Sequence, residues 1–404
     1  MSSAAIYYFF TVLILSLGSL LTLPKALNTG IIFLTLFFVF AGSQFNGADW
    51  INYTNVYAQL ADTAWADVLL NPPFEILFSL LAKFYASNDI EYQFFIASIA
   101  LFDLCMIFYL AHKLQVKNIF LFSLILFLLQ GWTLFQEQIR QSVAVVICLF
   151  SVYQYLQLNK KMAYFWILIA MGFHASAVFG FFYIYVAGIV IKNDGMPLTN
   201  RHFGTVTIFF VALIGVLIAT VKLLPFGAIL SGLWLQKLDY YINDESASSS
   251  LLNLGLLAYL IGFLLLMDLR KYVVFYNFRW LSFAWSMAML WCLICPFLRL
   301  IAIFTRFEHY FMILIPFAFV SYEYRNQKLF VKSGIRNIIY AFFALTFTVR
   351  LLFQPAQSVW VNDYQNIFVN FLFDEQAEQL DLRKERVCNE LLDSGNDFCG
   401  ILNQ

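Results

Sequence analysis

Asn118-Ile119-Phe120-Leu121-Phe122-Ser123-Leu124-Ile125-Leu126-Phe127-Leu128-Leu129-Gln130-Gly131-Trp132-Thr133-Leu134-Phe135 runs without a charge and without a polar face. A helix this apolar on every side has nothing to turn toward water, and ~20 such residues cross the hydrocarbon core of a bilayer. The pattern repeats outward in both directions, at 5–23, 30–45, 92–111, 140–158, 204–223, 251–269, 279–297, 300–320 and 337–353. Two segments depart from it. Residues 74–86 are too few to cross and are opened by Pro72-Pro73, which reads as a re-entrant or interfacial helix. Residues 162–190 must go out and back as a hairpin broken near Gly172-Phe173-His174-Ala175-Ser176. Non-helical backbone at that depth has to be buried in protein or line a wet cavity. The expected fold is an all-α, polytopic integral membrane protein of about 11–13 transmembrane helices, with a membrane domain over 1–353 and a short tail over 354–404.

Composition agrees. The chain is 62% apolar and 12% charged, against about a quarter charged in soluble domains. The remainder supplies only loops and a tail, with no P-loop and no room for a nucleotide-binding domain, which argues against an ATP-driven transporter. The 24 basic and 24 acidic side chains cancel, so no global field recruits nucleic acid. The first helix has no basic region before it and reads as a retained span. Cys105, Cys148, Cys292 and Cys295 sit in apolar runs as small hydrophobes. Cys388 and Cys399 bracket a short loop in the polar tail, where a disulfide is expected if that tail lies outside. No Cys/His cluster stands at ligand spacing, so neither a metal nor a cofactor is expected.

Short-loop basic residues set the orientation. Lys113 with Lys117, Lys160 with Lys161, Lys192 with Arg201, Arg270 with Lys271, and Arg325 through Arg336 read as cytoplasmic. The stretches 46–73 and 240–250 carry acids without Lys or Arg and read as outer loops. Asp49, His174 and the tail then lie outside.

In that topology Arg140, Arg299, Arg306 and Arg350 gather near the outer surface, together with Glu75, Glu137, Glu308, His309 and His174. Ionisable groups in a span are costly and mark function unless a partner or snorkelling explains them. Four arginines at one depth would suit bidentate recognition of phosphate oxygens; the plainer reading is that each snorkels or pairs with a nearby Glu. Glu137, three residues before Arg140, shares its helix face and is expected to orient it. His174, at the expected break, is a candidate to move a proton near neutral pH, and Asp49 beside Tyr53 and Tyr57 is the rival base.

Three stretches carry a resemblance. Gly47-Ala48-Asp49-Trp50-Ile51-Asn52-Tyr53-Thr54-Asn55-Val56-Tyr57 reads G-x-D-x-x-x-Y-x-x-x-Y. Ile139-Arg140-Gln141-Ser142-Val143-Ala144 reads I-R-Q-x-x-A, and Phe173-His174-Ala175-Ser176 follows about thirty residues on. With Arg306, Tyr310 and Asn362-Asp363-Tyr364 near the end, this order resembles the EpsG family of exopolysaccharide polymerases, related in role to Wzy-type O-antigen and capsule polymerases. An Arg commonly precedes G-x-D in that family; this chain has Gln44.

The resemblance implies a polymerase in the bacterial inner membrane acting at the outer leaflet on undecaprenyl-diphosphate-linked oligosaccharides, with membrane lipids and a chain-length regulator protein as partners. It implies His174 and Asp49 as catalytic, Arg140, Arg299, Arg306 and Arg350 as the diphosphate grip, and Gln141, Glu137, Glu75, Tyr53, Tyr57 and Tyr310 as supporting residues. The competing readings are an O-antigen ligase-like transferase, for which the outer loops are short, and a lipid-linked oligosaccharide flippase.

Overall fold

The computed structural model describes residues 3–20, 24–44, 49–116, 118–223, 254–269, 279–299, 302–320 and 365–368, with single positions within 382–389. The expected outer loop at 240–250, the span at 337–353, Arg350 and Cys399 lie outside the described residues. The chain forms two compact units, residues 1–183 with 347–404 and residues 184–346.

In the first unit α1 (Ser3–Gly18) and α2 (Lys25–Ala41) precede a two-residue strand β1 (Ser43–Gln44), followed by α3 (Asp49–Asp62), α4 (Trp65–Leu70), α5 (Ile76–Ala86), α6 (Tyr92–Lys113), α7 (Ile119–Gln130), α8 (Ile139–Leu156) and α9 (Lys160–Phe173). Pro24 opens α2, where a missing N–H costs nothing. Asn118 caps α7 by accepting the Leu121 N–H at 3.0 Å. Every residue of α7 from Phe120 to Gln130 is buried, so the stretch that is apolar on all sides packs inside the unit. Apolar side chains remain outward on other helices, Phe9, Leu34, Phe94 and Leu168 among them, a surface suited to hydrocarbon. The structure is that of an all-α polytopic membrane protein: among the described residues four helical segments, Tyr92–Lys113, Ile139–Leu156, Ala175–Lys192 and Arg279–Leu298, are long and apolar enough to cross.

The stretch 46–73, expected as an outer loop, is helical over most of the part that is described. Trp50, Tyr53, Tyr57 and Leu60 bury one stripe of α3, at three- and four-residue spacing that acids and Asn on the other faces obscure in the sequence. Lys83 on α5 closes that helix, its Nζ donating to Leu60 O at 2.8 Å and Ala61 O at 3.1 Å, which places a cation on a helix C-terminus. With eleven residues α5 is too short to cross.

The break expected near residue 174 falls on His174, whose backbone is extended (φ −157°, ψ 130°) between α9 and a 3-10 turn, Ala175–Phe179. The chain then doubles back: a Cβ on Gly180 would stand 3.0 Å from Ile167, and the Phe181 ring lies 6.3 Å from that of Tyr164. The following α10 (Gly180–Lys192) leads into the second unit.

That unit comprises α11 (Asn200–Leu223), α12 (Leu254–Leu269), α13 (Arg279–Leu298), α14 (Ala302–Met312) and α15 (Ile315–Val320). Its core is the buried α13, on which Ser286 accepts the Leu198 N–H at 3.0 Å and Trp280 meets Phe317 at 5.4 Å. Pro296 lies inside α13, which ends two residues later at Leu298. Back in the first unit, β2 (Gln365–Asn366) pairs antiparallel with β1, Ser43 opposite Asn366. The Asn366 amide also donates to Phe38 O at 3.0 Å. Cys388 is disulfide-bonded, and the four cysteines of the apolar runs are free thiols.

Candidate active site

In the first unit, segments far apart in sequence meet at one corner: the start of α3, the Pro72-Pro73-Phe74-Glu75 approach to α5, the first turn of α8, and the break at His174. Arg140 is the hub. Its Nη1 donates to Glu75 Oε2 at 2.6 Å and its Nε to the Tyr53 hydroxyl at 3.3 Å. The Phe74 ring lies 4.4 Å from the guanidinium carbon and the Tyr53 ring 5.5 Å from it, which adds cation–π attraction and fixes the plane of the fork. Arg140 remains 17% and Glu75 21% exposed. Among the described residues no partner takes the other guanidinium N–H groups.

Glu75 joins this hub to the break. Its second oxygen, Oε1, accepts the Ala175 N–H at 3.0 Å. Burial pushes the Glu75 carboxyl up, but Arg140, His174 and the Ala175 N–H outweigh burial and hold it below its ordinary value. The residue precedes α5, outside the spanning helices.

Asp49 opens α3, and its N–H donates to Glu137 Oε1 at 3.1 Å. Tyr53 donates to Asp49 Oδ2 at 3.4 Å, so one phenol links the carboxylate to Arg140. Glu137 does not continue the helix of Arg140 as expected. It closes a π-turn, Thr133–Glu137, and Gln138 breaks the path with φ −100° and ψ 55°. The carboxylate with a hydrogen bond to Arg140 is that of Glu75.

His174 is buried, 6% exposed. The Ser176 N–H points at its Nδ1 from 3.1 Å, and the Ser176 hydroxyl lies 2.7 Å from the same nitrogen. A backbone amide can only donate, so Nδ1 is the acceptor and the neutral ring carries its proton on Nε2. Tyr57 donates to Ile90 O at 2.6 Å, and burial, then Tyr85, push its hydroxyl up to about 12. It is a strut of α3. Gln141 is buried in α8.

The other expected residues belong to the second unit. Arg299 meets Glu308 with Nε at 3.1 Å and with Nη2 at 3.0 Å to both oxygens. Tyr259 donates to Glu308 Oε1 at 2.6 Å and Trp291 at 3.3 Å. Arg306 is half-buried on α14, and Tyr310 is fully buried there.

A family model described as the EpsG family matches residues 27–365. The chain belongs to the EpsG family. The family is one of Wzy-type polysaccharide polymerases, and membership gives this membrane protein a polysaccharide-polymerase type of function. Searches of curated proteins and of solved structures find no match. Both arginine–glutamate pairs of this EpsG-family chain, and all three stretches of the resemblance, fall inside the matched span. Three residues outside the functional assignments drawn from the sequence also matter to the packing here. Phe74 and Ser176 act only through folded proximity. Asp103 was visible as an acid inside the apolar run 92–111; it is 2% exposed on α6, with Oδ2 2.5 Å from the Ser142 hydroxyl on α8.

Proposed function

We propose that this protein polymerises polyprenyl-diphosphate-linked oligosaccharide units at the outer leaflet of the bacterial inner membrane. The observation that carries the reading is Arg140: a guanidinium held on two sides by Glu75 and Tyr53, stacked on Phe74, and still partly open with donors left over. Such a preorganised fork suits the oxygens of a diphosphate leaving group. In the proposed reaction the bond between the donor's anomeric carbon and its diphosphate oxygen breaks, and the electron pair leaves with the polyprenyl diphosphate. The acceptor sugar hydroxyl forms the new bond to that carbon and loses its proton.

Two residues compete for that proton. With Nδ1 of His174 accepting from Ser176, the hydrogen of the neutral ring sits on Nε2, so His174 serves as a donor that positions an oxygen. Asp49, joined to Arg140 through Tyr53, is then the proton acceptor. The test is the lipid-linked glycan profile of a deletion strain complemented with variants. Arg140→Lys, which keeps the charge but loses the fork, is expected to insert normally and to leave single lipid-linked units unpolymerised. Normal polymer from Arg140→Lys would overturn the reading. Arg306→Lys and Arg350→Lys test the wider arginine set expected from the sequence.

A further inference from the structure

The carbonyls that close an α-helix have no partner within it and must find one elsewhere. At and just past the end of α2 they find it in segments distant in sequence. Gly42 O accepts the Ile367 N–H at 2.9 Å, and the Gln93 amide on α6 donates to Ala41 O at 2.8 Å and to Ser43 O at 2.9 Å. Phe38 O accepts the Asn366 amide at 3.0 Å, across 328 positions. Asn366 works from both ends: its Oδ1 accepts the Phe368 N–H at 3.0 Å, a local turn that Asn side chains favour. It is 1% exposed, and a Cβ at position 42 would stand 2.6 Å from its Nδ2, so the glycine there leaves the amide its place.

The other side of β1 faces the hub. Ser43 shares a small recess with Trp50 and Tyr53 of α3, Tyr92 of α6 and Ile139 of α8. At about 20 Å³ the recess has room for about one water, so β1 backs closely onto α3. Tyr53 is the phenol that joins Asp49 to Arg140, and Ile139 is the residue before Arg140.

We infer that Asn366 is a positioning residue for elongation: by pinning β2 to the end of α2 it holds β1, and through Ser43 it keeps Trp50 and Tyr53 where Tyr53 links Asp49 to Arg140. A buried amide suits this because it supplies a donor and an acceptor at once. Asp keeps the acceptor but turns a carboxylate oxygen toward Phe38 O, and Ala keeps neither. The inference rests on the polymerase reading, and two readouts separate them.

Full-length protein in nanodiscs is given single lipid-linked repeat units extracted from the deletion strain. The kcat and KM of elongation per folded molecule, and backbone hydrogen exchange over residues 49–57, are measured for the parent, Asn366→Ala, Asn366→Asp and the pair Ser43→Cys with Asn366→Cys. The Ile367–Gly42 bond makes Ser43 and Asn366 a non-hydrogen-bonded antiparallel pair, and Cα atoms about 4.5 Å apart in such a pair are within disulfide reach.

Both single variants are expected to lower kcat at least about 10-fold, with KM within about 3-fold because the Arg140 grip does not involve β2. Exchange over 49–57 should rise at least about 10-fold. The oxidised pair should recover both properties and lose them on reduction, against a parent given the same treatment. Parental kcat per folded molecule in Asn366→Ala and Asn366→Asp, even with a lower Tm, leaves Asn366 a role in stability alone and overturns the inference. So does unchanged exchange over 49–57, or an oxidised pair that elongates no better than the reduced one. A parent that never elongates the units overturns the polymerase reading instead, and exchange alone then decides whether Asn366 holds α3.

Discussion

Replacing Glu75 by Gln removes one charge and almost no volume, and the local geometry dictates the outcome. The carboxylate accepts from Arg140 with one oxygen and from the Ala175 N–H with the other. An amide has one acceptor oxygen, so whichever way the substituted side chain turns, an NH2 group faces a donor. If the oxygen stays with Ala175, Arg140 loses its orienting partner; if it turns to Arg140, the break beside His174 is freed. A fully buried ion pair broken at one end costs about 3–5 kcal/mol and an exposed one about 0–1. At 17% and 21% exposure this pair lies between, so the expected loss is about 1–3 kcal/mol. The cost to activity is larger, because a displaced contact group near the reacting atoms costs on the order of 100-fold.

The pH dependence of this contribution has a definite sign. The carboxyl of Glu75 titrates below its ordinary value in the folded protein. Its contribution is therefore complete above the unfolded value, about 4.3, and is lost as pH falls through the lower folded value. The stability gap between parent and Glu75→Gln should be full at neutral pH and should close in the acid range below the ordinary glutamate value. The assay is a double-mutant cycle on Tm and chemical denaturation with Glu75→Gln, Arg140→Gln and the pair, repeated across pH. A coupling energy near zero at neutral pH, or a gap that widens on acidification, would refute the argument.

The second unit's pair behaves differently: Arg299→Lys cannot reproduce the fork onto Glu308 and should destabilise by about 2–4 kcal/mol, measured as a fall in Tm, with elongation per folded molecule retained. Asp103→Asn should be tolerated within about 0.5 kcal/mol, because an amide N–H can donate to the Ser142 oxygen, whose own proton is free to serve Ile139 O at 2.8 Å. Asp103→Leu should cost about 1–3 kcal/mol, and equal Tm values for the two variants would refute the contact. Asp49→Asn should reduce elongation by about 10²–10⁴-fold, the range for removing a general base, whereas His174→Gln, which keeps a donor, should reduce it far less; the reverse order in a steady-state assay returns the base to His174.

The spans were legible because membrane burial acts on each segment alone. Expected segments at 92–111, 140–158, 204–223 and 279–297 correspond to helices Tyr92–Lys113, Ile139–Leu156, Asn200–Leu223 and Arg279–Leu298. The break at His174 was legible too, since charge placement required the chain to return between Lys161 and Lys192. The helix α3 was not, because its buried stripe is aromatic and interleaved with Asn and Asp, so hydropathy averages away. Nor was the separation of Glu137 from Arg140. A three-residue spacing implies one helix face only while the helix is regular, and the five-residue hydrogen bonds of the π-turn interrupt it here. The partner of Arg140 could not be read at all: Glu75 lies 65 positions away, and only folding selects it over the nearer acid.

Both arginine–glutamate pairs satisfy the plainer expectation that a membrane arginine finds a carboxylate, yet they are built for different ends. At Arg299 the carboxylate takes Nε and Nη2 together, Tyr259 and Trp291 fill its remaining capacity, and Glu308 is left 5% exposed. Glu308 thereby holds the Nε–Nη2 edge of the fork, and an anion could take that edge only by expelling a buried charge, which is costly. At Arg140 the carboxylate takes one Nη, a neutral phenol takes Nε, and the rest of the fork is unused beside two aromatic faces. A diphosphate can add to that guanidinium without displacing Glu75, and Glu75 keeps the cation oriented until it does. The first arrangement locks the end of α13 to α14; the second holds a charge ready. Both arginines keep spare N–H donors, and what favours Arg140 as the anion grip is its setting, a neutral phenol on Nε with Asp49 and the His174 break at the same corner.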